Sequence, residues 1–373
     1  MPRAASISLF ASAICAGFCR VWPAKVESMS EKTYRAGIIG LGFIGGADQV
    51  SGDALGQQVP DLDGTHRYAL ENHPRVELVA GSSRDQGRRQ RFAEATGART
   101  WADWRELLEK EDLDIVSVAT YAPTHAEITA ACAQAGIRAV YCEKPVATTL
   151  PDAEAMTAAC REAGTLLAVN HNRRYDPNHR RLQALIQAGG LGELTSVNMQ
   201  WPAGRLGNVG THMFDASYML TGRRVEEVSA TLDLAGKPDC RGAQFSDPGG
   251  WGIMRLEGGL MAVVDATDYG RQPPLTALNG SQGRALITGL DIKLEYWDGR
   301  SEHWPTSQEG SSMDRAVGDI VDWLDGAPFP YDAEEAVHTL EAIVAFHASH
   351  ARQAAWTELP LQGGDRELVV NSG

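Results

Sequence analysis

The chain lacks several features that would narrow its role at once. Across 373 residues, Lys and Arg number 34 against 48 Asp and Glu, a formal net charge of −14. No basic stripe offsets that deficit, which argues against a general binder of nucleic acid or of anionic membranes. No apolar run approaches the length of a membrane span. The six cysteines (Cys15, Cys19, Cys132, Cys142, Cys160 and Cys240) form no C-x-x-C pair, so they read as reduced thiols and not as a disulfide frame. His347 and His350 are spaced like metal ligands but lack a third, and no metal is expected. Internal repeats and low-complexity tracts are missing too. What remains is an ordinary globular composition, 43% hydrophobic and 22% charged, with length enough for two domains.

The first 33 residues stand apart. Residues 7–19 are apolar behind Arg3, as in an export signal, yet no clean small-x-small cleavage pattern follows, and Arg20 and Lys25 come next. Met29, just ahead of the first strand, makes a natural start. Residues 1–33 are therefore expected to be an extension or a mis-assigned start on a cytoplasmic protein. The alternative is export, with residues 1–28 a signal peptide.

What is present begins with Gly40-Leu41-Gly42-Phe43-Ile44-Gly45 behind an apolar run at 36–39. Gly40 permits a tight turn out of a strand, Gly42 lets backbone approach a pyrophosphate, and Gly45 lets helix pack on strand. The phosphates then meet unpaired N–H groups at a helix N-terminus. Alone the motif is weak; its surroundings strengthen it. Residues 46–64, rich in Gly, Asp and Gln, read as an inserted loop at the cofactor edge. Strands at 76–81, 114–119, 138–142 and 165–170 then alternate with helices at 65–72, 85–96, 104–110, 124–135 and 151–163.

After Tyr175 the texture changes. A helix at 179–188 precedes strands at 195–201, 225–234, 252–256, 260–265, 284–288 and 292–297, and helices at 313–324 and 333–351 close the chain. The expected fold is an α/β Rossmann domain over 34–172, then an α+β domain over 173–373 with a large open, mostly antiparallel sheet. One face of that sheet needs a partner, so a homodimer or homotetramer through it is expected.

Ligands bind outside the carboxyl ends of parallel strands. Those ends carry the glycine motif, Ser82-Ser83-Arg84, Thr120-Tyr121-Ala122-Pro123-Thr124-His125, Glu143-Lys144-Pro145 and Asn170-His171-Asn172-Arg173-Arg174. Five such ends on one edge are poorly explained as ordinary surface loops. An NAD site usually places an acid after strand two. Here Ser83 and Arg84 stand there, and a hydroxyl with a guanidinium suits a 2′-phosphate that a carboxylate would repel. NADP is expected, with NAD as the alternative.

Glu143-Lys144-Pro145 resembles the E-K-P signature of the Gfo/Idh/MocA oxidoreductase family, which includes glucose–fructose oxidoreductase and inositol dehydrogenase. The likeness covers nearly everything from residue 34 to about 361. It takes in the glycine motif, the turn from Ala119 to His125, Arg173-Arg174-Tyr175 with Pro177, and Gly192. It also takes in Asn208-Val209-Gly210-Thr211-His212-Met213-Phe214-Asp215, similar to a D-x-G-x-H-x-x-D segment that opens a helix. The resemblance implies an NAD(P)-dependent enzyme moving hydride between nicotinamide and a secondary hydroxyl of a sugar, polyol or related small molecule. By it, Lys144 sits near the nicotinamide and the substrate hydroxyl, and His212 reaches the same hydroxyl from the second domain; these two are the expected catalytic pair.

Cofactor contacts are expected from Gly40, Gly42, Phe43, Ile44, Gly45, Ser83, Arg84, Thr120, Tyr121, Pro123, His125, Glu143 and Lys144. Substrate contacts are expected from Lys144, Arg174, Tyr175, Trp201, Arg205, Asn208 and His212, since an aromatic face with a guanidinium suits polyols. The loops at 239–242 and 247–251 are further candidates. His212 is expected to titrate near neutral pH without much tuning. Asp215, one helical turn on, reads either as its orienting partner or as a solvated acid.

One position departs from the family pattern: Asn208 stands where its first Asp is usual. An amide can bond a hydroxyl but is not a base, which puts an Asp–His relay in doubt and shifts weight to Lys144 and His212. Two other readings stay open. One is a tightly held NAD(P) used transiently in glycosidic elimination or hydrolysis; the other is a non-catalytic cofactor-binding protein.

Overall fold

Among the described residues two sheets carry the fold, and the candidate site lies where segments of both meet. The computed structural model describes residues 32–50, 58–202, 204–234, 245–267 and 273–372. The N-terminal extension through residue 31, the middle of the inserted loop (51–57) and the 239–242 loop lie outside the described residues.

The first sheet contains β1 (Tyr34–Ile39), β2 (Val76–Ser82), β3 (Arg99–Trp101), β4 (Ile115–Val118), β5 (Ala139–Cys142) and β6 (Leu166–Val169), all parallel, in the order β3-β2-β1-β4-β5-β6. Every residue of β4 and β5 is buried, as apolar runs covered on both faces should be. The connecting helices are α1 (Phe43–Gly46), α2 (His66–Asn72), α3 (Gln86–Thr96), α4 (Trp104–Lys110), α5 (His125–Gln134) and α6 (Leu150–Ala163). Thr65, Asp85, Asp103 and Thr149 each accept a backbone N–H two or three residues on, which fixes four of the helix starts. The edge strand β3 was not expected: three residues are too few to show a period.

The second sheet holds β7 (Leu194–Gln200), β8 (Val225–Asp233), β9 (Gly249–Leu256), β10 (Leu260–Ala266), β11 (Leu275–Gly280), β12 (Gly283–Thr288), β13 (Asp291–Tyr296), β14 (Ser301–Trp304) and β15 (Thr357–Glu358), in the order β14-β13-β12-β11-β7-β10-β9-β8-β15. All its pairings are antiparallel except β7 with β10. Strands β11, β14 and β15 lie outside the strands expected from sequence.

Helices α7 (Pro177–Gln187), α8 (Thr211–Thr221), α9 (Ser312–Leu324) and α10 (Glu334–Ala351) complete the chain. Helix α10 covers β8 with Leu340, Ile343 and Phe346 fully buried. The opposite face is open: Trp251, Ile253 and Val263 are 42%, 42% and 43% exposed. Helix α9 returns to the first sheet. Its Met313, Val317, Ile320 and Val321 pack with Tyr34, Ile38, Ile115 and Tyr141, so residues 173–373 are not a spatially separate stretch.

Candidate active site

The turn out of β1 is built for bare backbone. Gly40 has φ +103°, and a Cβ there would stand 2.4 Å from the Ala119 carbonyl oxygen. A Cβ on Gly45 would stand 1.9 Å from the carbonyl oxygen of Gly40. Neither position admits a side chain, and the cradle they shape fits a dinucleotide pyrophosphate. Helix α1 lasts a single turn, because Ala47 takes the left-handed conformation (φ 58°). Asp48 then turns to Arg91 on α3, at 2.9 and 2.8 Å. An anion at this turn would have to be met by the N–H groups of the first turn, since one turn builds little dipole. Phe43 buries its ring and can offer a ligand only backbone; Ile44 is half-buried.

At the end of β2, Ser83 is half-buried and its hydroxyl accepts the Asp85 N–H at 3.3 Å. Arg84 is exposed. Arg89 braces the turn by donating to the carbonyls of Ser83 and Arg84, at 2.6 and 2.9 Å. With Arg88 and Arg91 on the same helix, this corner is cationic, offset by Asp48 and Asp85.

His125 departs from its expected role. It is buried, and its two ring nitrogens face the carbonyl oxygens of Pro145 (2.9 Å) and Thr120 (3.1 Å). It ties one strand end to the next and leaves no ring nitrogen for a cofactor. Thr120 Oγ1 accepts from Thr124, Pro123 is exposed, and exposed Tyr121 lies against Phe245 with ring centroids 5.8 Å apart.

Beyond β5, Glu143 is buried and held by His66 (3.0 Å) and Asn170 (2.6 Å), the latter in turn accepting from Tyr141 at 2.7 Å. Burial pushes the Glu143 pKa up, but His66, Lys144 and Asn170 more than reverse it, to about 2. Glu143 is thus a fixed anion beneath Lys144, not an exposed ligand. Lys144 reaches across to the second sheet's side. Its Nζ donates to the backbone oxygen of Asn208 (3.2 Å) and to Oδ1 of the same residue (3.3 Å).

Asn208 lies in a π-helical turn, Leu206–Gly210, entered through Arg205 at φ 52°. Such turns and such strained residues gather at functional sites. Asp247 fixes this one, its two oxygens accepting the N–H groups of Gly207 and Asn208, each at 2.7 Å. The chain's last described segment backs it. Val370 N–H donates to Thr148 O, Ser246 N–H donates to Asn371 O, and a Cβ on Gly207 would stand 2.6 Å from Val370 Cγ1. Asp247 appears in the sequence-based expectations only within the candidate loop at 247–251, without its role in holding the π turn, and His66 has no place in them. Their partners lie 39 and 77 residues away, and nothing local marks such pairs.

His212 opens α8 and is half-buried. Its Nδ1 is buried, and the ring has no hydrogen-bond partner among the described residues. Its ring meets His171 edge-on at 6.0 Å. Burial, Lys144, Arg173 and His171 hold its pKa well below the ordinary value, which corrects the expectation of little tuning: the ring is neutral at neutral pH. Asp215 is neither its partner nor solvated. It is fully buried, takes Arg174 Nε at 2.9 Å on each oxygen, and lies 3.2 Å from His171 Nδ1. Burial would raise its pKa, but Arg174 and His171 bring it down to about 2.

Three residues expected at the substrate turn inward instead. Arg174 is buried, bound to Asp215 and to Glu335 at 2.7 Å. Tyr175 is buried, its hydroxyl 2.7 Å from that of Tyr331. Trp201 is buried, its indole N–H donating to Gly204 O at 2.6 Å. Each satisfies its polar group inside the protein, and none presents it to a ligand. Arg205 is half-buried beside the π turn.

Comparison with known proteins bears on the fold that carries these residues. Residues 34–171 match the family model described as oxidoreductase family, NAD-binding Rossmann fold. Inositol 2-dehydrogenase 3 of Saccharopolyspora erythraea is 34% identical over 161 residues, 43% of this chain and 42% of that protein, so the chain spans less than half of that relative's length. Myo-inositol 2-dehydrogenase of Thermotoga maritima is 27% identical over 69% of this chain and 75% of that protein. The solved aldose-aldose oxidoreductase of Caulobacter crescentus superposes with a TM-score of 0.73 at 20% identity, over 88% of this chain and 100% of that one. An inositol dehydrogenase homologue from Azotobacter vinelandii, in complex with NADH and myo-inositol, gives 0.69 at 20% identity over 88% and 98%. With the glycine cradle, the Glu143-Lys144-Pro145 turn and the facing His212 helix in one fold, the chain resembles the Gfo/Idh/MocA oxidoreductases, and its residues 34–171 match that family's NAD-binding Rossmann domain.

Proposed function

We propose that this protein is an NAD(P)-dependent dehydrogenase acting on a secondary hydroxyl of a sugar, polyol or related small molecule. The observation that carries the reading is the meeting of Lys144 with the π turn that leads, four residues on, into His212. A bound nicotinamide dinucleotide would supply the hydride acceptor. Gly40, Gly42 and Gly45 would hold its pyrophosphate with bare backbone, and the strand ends at Thr120–Pro123 would line its path.

Lys144 and His212 handle the hydroxyl proton. Lys144 Nζ is positioned by the two oxygens of Asn208, whose backbone N–H is held by Asp247. His212, held neutral, has a free ring nitrogen to accept or share the proton at neutral pH. The pair thus holds the hydroxyl and takes its proton as the carbon–hydrogen bond breaks, and geometry supplies much of the rate.

For the cofactor we favour NADP over NAD. Ser83, Arg84 and the arginines of α3 make a cationic corner suited to a 2′-phosphate, although the Azotobacter neighbour holds NADH. We also assign self-association through the open face of the second sheet. A cluster of Trp251, Ile253 and Val263 at this exposure marks an association surface, and a dimer or tetramer covers it. Cytoplasmic residence fits the buried free thiols of Cys132, Cys142 and Cys160.

Titration with NADP⁺ and NAD⁺, then absorbance of the reduced cofactor formed across a sugar and polyol panel, tests the activity. Lys144→Met is expected to cut kcat by about 10²–10⁴-fold while cofactor still binds. A substrate signal that survives Lys144→Met would sink the assignment. Cofactor that co-purifies and never accumulates reduced would point to transient redox in glycosidic cleavage. Sedimentation of Trp251→Glu/Ile253→Glu is expected to show monomers where the parent protein assembles; unchanged assembly would move the interface elsewhere.

A further inference from the structure

Beside Arg174, whose guanidinium is occupied by Asp215 and Glu335, stands an arginine in a different state. Arg173 is half-buried beyond the carboxyl end of β6, and among the described residues its hydrogen bonding amounts to one 3.4 Å contact from Nη1 to Oδ1 of its neighbour Asn172. Asp215, Asp176 and Asp63 are near enough to act on it, but none of them forms an ion pair with it. Each is engaged elsewhere: Asp215 with Arg174, Asp176 with His179 at 2.7 Å, and Asp63 with the N–H of Ser312 at 2.8 Å. Burial outweighs these carboxylates and lowers the Arg173 pKa, the mark of a cation short of compensation. Its charge is felt at His212, where with Lys144 it disfavours the imidazolium.

A partly desolvated guanidinium is normally paired. A ligand anion would pair it, and the planar fork would hold a carboxylate by two hydrogen bonds. Nothing negative faces such a ligand from Asn208, whose side chain is neutral. Strands β5 and β6 are neighbours, so Lys144 and Arg173 leave adjacent strand ends, and His171, two residues before Arg173, lies 2.9 Å from the hydroxyl of Thr211, which directly precedes His212.

We propose that the substrate is a polyhydroxylated acid, a sugar acid or uronate, whose carboxylate binds Arg173 while a secondary hydroxyl reaches Lys144 and His212. The hydroxyl half of this assignment rests on the dehydrogenase reading; the carboxylate half rests on Arg173 alone. Calorimetric titration of the cofactor-loaded full chain with D-glucose, D-gluconate, D-glucuronate and D-glucose 6-phosphate separates the two. An acid should bind at least about ten-fold more tightly than glucose. Arg173→Met should erase that advantage while changing glucose binding by less than about two-fold, and Arg173→Lys should keep part of it.

Equal affinity for acid and sugar, no binding of either acid, or tighter binding of the phosphate than of both acids overturns the inference. So does an equal loss for sugar and acid in Arg173→Met that Arg173→Lys fails to restore. Reduced cofactor is followed in parallel. Acid binding that needs Arg173 but yields no reduction overturns the dehydrogenase reading and leaves the anion site standing.

Discussion

At the edge of the six-stranded sheet the ligand wall is made by backbone, whereas the segment facing it from the nine-stranded sheet is held by side chains. Gly40 and Gly45 leave no room for a Cβ, and the chain's own N–H groups are what remains to meet a phosphate. Opposite them, Asp247 grips two N–H groups of the π turn, Asn208 meets Lys144, and Asp215 is clasped by Arg174 and His171. A backbone wall writes itself into consecutive residues, because only glycine satisfies it. A side-chain wall is spread over residues that the fold brings together, so its parts look ordinary one at a time.

The comparison breaks most sharply at Gly45. Gly45→Ala places a methyl 1.9 Å from a carbonyl oxygen, so the turn must open, and NADPH affinity should fall at least about 100-fold with the fold intact by circular dichroism. Affinity within about three-fold of the parent's would mean that the backbone wall is not the cofactor's seat.

The side-chain wall should yield next, in stability more than in binding. Asp215→Ala strips His171 of its carboxylate and leaves buried Arg174 with Glu335 alone, and should cost about 3–5 kcal/mol in denaturant unfolding at pH 7. Asp215 and Glu143 both have folded pKa values near 2, below their ordinary values. Each therefore adds stability above about pH 4.5 that drains away as pH falls towards 2. The gap between Asp215→Ala and the parent should narrow over that window. A gap unchanged at pH 2.5 would show that the carboxylate's charge is not what counts.

The smallest effect concerns His212. Because its pKa is held down by burial and by Lys144 and Arg173, the neutral ring persists in acid, and any limb of the kcat profile due to it should lie well below pH 6.5. Arg173→Met removes one of those cations and should move that limb upward towards 6.5. A limb that stays put would mean that Arg173 does not act on His212.

Legibility followed the same division. The alternation of strands and helices and the broken stretch after Gly45 were readable, since each is a local pattern of apolar period or glycine. Edge strand β3 was too short to show a period. Arg173 and Arg174 are adjacent and chemically identical, yet one is buried in ion pairs and the other is left short of a partner. Nothing in the chain order distinguishes them. Trp201 and Tyr175 looked like a sugar platform by composition, and their burial depends on α8, α10 and Tyr331 packing around them. His125 looked like a ligand for the same reason.

The sequence by itself determined the parallel sheet, the glycine turn at its edge and the line of polar strand ends, because backbone conformation and period are set by neighbours along the chain. Only the tertiary structure decided which polar residues face the cleft. Pairing Lys144 with Asn208, Asp247 with the π turn, and Arg174 with Asp215 needs contacts 39 to 64 residues long, and a side chain's partner, burial and charge state exist only once those contacts form.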